Sequence, residues 1–117
     1  MVMGGFDQKT NISTAMTHRF SLSQNKWCHA PNMNSKRSSA GATYLDGFIY
    51  AFFGITNSGT VLNSVERIET TTFEKWHLMQ INNEILIPRV GFGAIPLNKN
   101  EIITFSRNQK GPVQESF

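Results

Sequence analysis

The side chains able to do chemistry in this chain are few and scattered. His18, His29 and His77 share no metal-ligand spacing, and the one cysteine, Cys28, has only His29 beside it. Zinc sites are built from sets of three or four nitrogen and sulfur ligands with recognisable spacing, and that pattern is missing. Eight carboxylates are distributed with no acid–base pairing along the chain, so general acid–base catalysis has no visible players. Gly4, Gly5 and Gly54 stand in no strand–Gly-x-Gly-x-x-Gly–helix context and read as turn residues, not as a phosphate cradle. On this evidence the chain is expected to carry no catalysis of its own and to need no metal or cofactor.

The elements that position these residues come from an internal repeat. Trp27 and Trp76 lie 49 positions apart (76 − 27) and close two similar polar strand-like stretches. Gly4-Gly5 keeps the same offset to Phe53-Gly54 (53 − 4), and Arg37-Ser38-Ser39-Ala40-Gly41-Ala42 returns 52 positions on (89 − 37) as Arg89-Val90-Gly91-Phe92-Gly93-Ala94. The added residues fall between Trp76 and Arg89, where a connection tolerates insertion. A period near 50 is the mark of a propeller blade.

Helical periodicity is absent, and short apolar runs end at Gly, Asn, Asp or Ser, which is an all-β pattern. Strands are expected at 2–4, 16–21, 26–29, 39–45, 48–53, 64–69, 75–78, 91–97 and 101–106, followed by an irregular tail at 107–117. Asp46-Gly47 between two such runs signals a type I′ hairpin. Phe48-Ile49-Tyr50-Ala51-Phe52-Phe53 is apolar without alternation, so both of its faces should be buried. Ser64-Val65-Glu66-Arg67-Ile68-Glu69 alternates apolar with charged residues only roughly, and is expected to be a half-exposed strand. Both tryptophans are expected to fill space between blades.

Bulk properties exclude several classes. At 117 residues the chain is one domain's worth, with 39% apolar and 16% charged residues, an ordinary balance for a globular chain. The net charge of +3 is spread without a run of like charges, which argues against a nucleic-acid partner. No apolar run approaches the roughly 18 residues that would span a membrane. The N-terminus has no secretory apolar region, and a single cysteine suits a reducing compartment, so the expected location is cytoplasmic.

Taken together, the hairpin from Gly41 to Gly54, the strand Ser64-Val65-Glu66-Arg67, Trp76 nine residues later, and Asn32-Met33-Asn34-Ser35-Lys36-Arg37 resemble the kelch repeat over about residues 1–106. The resemblance implies a kelch-type β-propeller fragment of about two four-stranded blades: a partial blade at 1–30, a full one at 31–79 and a partial one at 80–106. Departures are plain. Phe53-Gly54 has lost the first glycine of the usual pair, and Phe20 and Ile68 replace the tyrosine of the third strand. Propellers have about four blades or more, so this length cannot close a ring, and the chain is expected to be a piece of a longer propeller or to self-associate through exposed blade flanks. Copper-radical oxidases share the kelch architecture but need a cysteine cross-linked to a tyrosine and several metal ligands, a constellation that Tyr44, Tyr50 and Cys28 do not offer.

The resemblance therefore implies a protein–protein interaction module, part of a larger adaptor or scaffold, with an unidentified protein partner. The alternative is a fragment of a kelch-fold enzyme, of oxidase or epimerase type, whose active site lies mostly elsewhere. Recognition would fall on the loop into the innermost strand (Lys36, Arg37, Ser38, Ser39, Arg89, Val90) and on the long second-to-third-strand loops, where Asn57 is the candidate. In the family, an arginine at the place of Arg37 and Arg89 commonly supports the blade-to-blade loop.

Overall fold

The computed structural model describes residues 1–7, 9–10, 12–79, 93–108 and 111–116. Within them the chain is all-β: β1 Val2–Met3, β2 Phe6–Asp7, β3 Ile12–Ser13, β4 Thr17–Ser21, β5 Lys26–Ala30, β6 Gly41–Leu45, β7 Phe48–Phe52, β8 Val65–Glu69, β9 Trp76–Met79, β10 Gly93–Asn98, β11 Glu101–Asn108 and β12 Gly111–Ser116. Every paired strand is antiparallel. Among the described residues no helix is long and apolar enough to cross a membrane.

One sheet is complete, with its four strands in sequence order, β6-β7-β8-β9. Its first two strands are joined at Asp46 and Gly47, whose φ values of 48° and 87° are the paired positive angles of a type I′ turn. A three-stranded sheet, β1-β4-β5, repeats the last three strands of that unit, because Phe20 pairs with Trp27 as Ile68 pairs with Trp76. A second three-stranded sheet, β10-β11-β12, and the small hairpin β2-β3 complete the set. The sheets stack without closing into a barrel.

Both faces of the complete sheet carry buried clusters, and this is where the core sits. On one face Ala51, Ile68 and Trp76 join Met33, with Met3 and Ala15 packed against them from the first sheet and the segments beside it. On the other, Phe52, Phe53 and Val65 meet Ile102, with Ala94 alongside. The uninterrupted apolar run of β7 thus supplies both cores, as its lack of alternation requires. Phe53 takes φ 56° where a glycine would be at ease, and its complete burial offsets that strain.

Four features differ from the sequence expectation. Glu66 is fully buried, because the strand around it is covered on both faces and its charge is matched from outside the strand. Trp76 is 3% exposed but Trp27 is 57% exposed, since nothing among the described residues lies over the outer face of the first sheet. The loop after β1 folds into the β2-β3 hairpin, too short for its alternation to show. Finally, residues 111–116 pair with β11 as a last strand; Pro112 is accommodated because this strand lies at the edge of its sheet among the described residues.

The repeat also exposes a local misfit. Thr17 occupies in the first sheet the place of Val65 in the second, and it is fully buried with its Oγ1 unpaired among the described residues. A buried hydroxyl without a partner costs about 1–3 kcal/mol by mutational measures. Thr17→Val keeps the shape and removes the hydroxyl, so it should raise the unfolding free energy by about 1 kcal/mol. Urea titration reads this directly; an unchanged or lowered midpoint would mean that the hydroxyl finds a partner in solution.

Candidate interaction surface

Three connections converge at one end of the first two sheets: the β2-β3 arm, residues 31–40 between β5 and β6, and residues 53–64 between β7 and β8. Ser38 joins them. Its N–H donates to the Ile55 carbonyl at 3.0 Å, and the Ile55 N–H donates back to the Ser38 carbonyl at 2.9 Å. The Ser38 hydroxyl donates to the Ile55 carbonyl at 3.1 Å and lies 3.2 Å from the Ser13 hydroxyl of β3. Next to it, the Arg37 N–H donates to the Thr14 carbonyl at 3.1 Å and the Arg37 carbonyl accepts from Gly5 N–H at 2.7 Å. Gly54 is required here: its φ is +100°, and a Cβ would stand 2.8 Å from the Ser38 carbonyl oxygen.

Beneath this junction lies the Arg37 side chain, fully buried. Its Nε and Nη2 donate to Glu66 Oε2 at 3.1 and 2.9 Å, and its Nη1 donates to the carbonyls of Phe53 and Ser64 at 2.8 and 2.9 Å. Nη2 also donates to Ser64 Oγ at 2.9 Å. These five bonds match the five N–H donors of a guanidinium. Glu66 is equally engaged. Its Oε1 accepts from the Asn34 backbone N–H at 2.6 Å and side-chain amide at 3.2 Å, and its Oε2 from Ser35 N–H at 3.2 Å. Burial pushes the Arg37 guanidinium below its ordinary range, while the Glu66 hydrogen bond and charge pull it back up.

The expected recognition residues therefore divide. Arg37 has its donors committed internally and braces the surface from below, and Ser38 is buried as the junction. Lys36 and Ser39 flank them and are exposed, Ser39 with φ 53°. Asn57 is exposed on the neighbouring loop, whose tip is tied by Thr56, Ser58 and Thr60 hydroxyls at 2.8 and 3.3 Å. Arg89 and Val90 lie outside the described residues.

Sequence reading missed three arrangements. Glu66 as the partner of Arg37 gave no signal, because 29 residues separate them. A groove of about 460 Å³ is lined by Phe48, Arg67, Glu69, His77, Leu78 and Met79, with the Arg67 guanidinium 4.1 Å over the Phe48 ring. His18 and His29 are directly opposed across β4 and β5. That last pair was recoverable: once Phe20 faces Trp27 in a hairpin, residues two steps out must face each other. Among the described residues no group of three His, Cys, Asp or Glu is placed to hold a metal ion. Comparison with protein-family models and with curated proteins finds no match to this chain.

Proposed function

We propose that this chain is part of a kelch-type β-propeller acting as a protein–protein interaction module within a larger adaptor or scaffold. The stacking of repeated antiparallel sheets at a spacing near 50 residues supports the propeller reading. One observation carries the functional reading. Lys36, Ser39 and Asn57 stand exposed on loops whose backbones are already locked together by Ser38, Ile55, Ser13 and buried Arg37. A surface ordered on folding loses little further entropy when a partner docks, so even modest polar contacts contribute to affinity. Its exposed groups are hydrogen-bonding and cationic, which suits recognition of an acidic or polar protein surface.

Site-specific photo-crosslinking tests this. A crosslinker at Ser39 or at Asn57 should capture the same protein, whereas one at Thr72, on the turn at the opposite end of β8, should not. Lys36→Glu should weaken the capture. Equal labelling from all three positions, or capture indifferent to Lys36→Glu, would place recognition elsewhere on the molecule.

A further inference from the structure

The outer face of the first sheet carries a pair of imidazoles that no hydrogen bond or ion pair engages among the described residues. His18 on β4 and His29 on β5 are register partners, with ring centroids 4.7 Å apart and planes tilted by 43°. His18 is half-buried and His29 exposed, and neither ring makes a hydrogen bond among the described residues. The equivalent positions of the second sheet are Glu66 and Leu78, where Glu66 is neutralised by Arg37. In the first sheet two imidazoles stand in those places, and they are held on strands rather than loops, which fixes their separation.

We propose that His18 and His29 form an open two-imidazole site for a borderline divalent cation, such as Zn²⁺, Ni²⁺ or Cu²⁺. Neutral imidazole is a common ligand for these ions, whereas Mg²⁺ and Ca²⁺ prefer oxygen. Zinc–nitrogen bonds of about 2.0–2.1 Å put two ligand nitrogens of one tetrahedral ion about 3.3 Å apart. Ring centroids 4.7 Å apart are compatible with that spacing. Water completes the coordination, leaving positions open to a donor from a bound partner. The site goes beyond the interaction surface described above and does not depend on it.

Titration of the whole chain with Zn²⁺ alone tests the site by calorimetry and by histidine-resolved NMR. One ion should bind per chain, with the imidazole signals of His18 and His29 shifting and those of His77 unmoved. Losing an outer-shell partner already costs about 10–100-fold in metal affinity, so His18→Ala and His29→Ala should each weaken binding at least about tenfold. His77→Ala should bind as the parent does. The proposal is overturned by the absence of saturable uptake, by one ion shared between two chains, or by Zn²⁺ shifts centred on His77. The NMR reading uses the parent chain and so stands even if a substitution disturbs folding.

Discussion

Glu66→Ala is expected to remove about 3–5 kcal/mol from the unfolding free energy, the cost of leaving one charge of a buried pair without its partner. The pair is dry, with both side chains at 0% exposure and Nη2 of Arg37 2.9 Å from Oε2 of Glu66. Removing the carboxylate strands more than the guanidinium. The backbone N–H groups of Asn34 and Ser35 also lose their acceptor, and these hold the segment that covers Trp76. A domain has only about 5–15 kcal/mol in total, so the variant should unfold at much lower urea. The Trp76 fluorescence transition measures it. Replacing both partners by apolar residues, Arg37→Met with Glu66→Leu, should recover most of the loss, because no unpaired charge remains. A Glu66→Ala cost under about 1 kcal/mol would mean that water reaches the pair in solution.

Trp76→Ala and Trp27→Ala should differ sharply although the two residues are repeat equivalents. Trp76 is enclosed between Met33, Ala51 and Ile68, and its Nε1 donates to the Pro31 carbonyl at 2.9 Å. Truncating a buried aromatic of this kind costs about 3–5 kcal/mol. Among the described residues Trp27 has one ring neighbour, Phe20, at 5.3 Å in edge-on geometry, and more than half of it is open. Such a pair is worth about 0.5–1.5 kcal/mol, and that should be the whole effect. Chemical denaturation of the two variants at several protein concentrations makes the comparison. Equal, concentration-dependent costs would show that the Trp27 face is covered by a second copy.

These two experiments probe what is repeated and what is not. The loop cluster behaves as a third case: Ser38, Ile55 and Ser13 lie on three different connections, and their hydrogen bonds exist only because the sheets beneath them stack. Lys36 and Asn57 were identifiable as loop residues of a repeat. For Arg37 the family resemblance implies loop support as well as recognition, and which of the two it does is decided by the acceptors that surround it, Glu66, Phe53 and Ser64.

What this sequence determines by itself is everything governed by near neighbours along the chain. Asp46-Gly47 dictates a hairpin because only certain residues accept two successive positive φ angles. The apolar run of β7 dictates a strand with two buried faces, and the offset between the tryptophans dictates a repeated sheet. Tertiary structure alone decided the rest: that Glu66 is buried against Arg37, and that among the described residues Trp76 is covered while Trp27 and the His18–His29 pair are left open. Strand formation follows local alternation and turn chemistry, which are written in consecutive residues. Burial and pairing depend on which sheet packs over which, and equivalent positions in two repeats acquire opposite environments when, among the described residues, only one of them is covered.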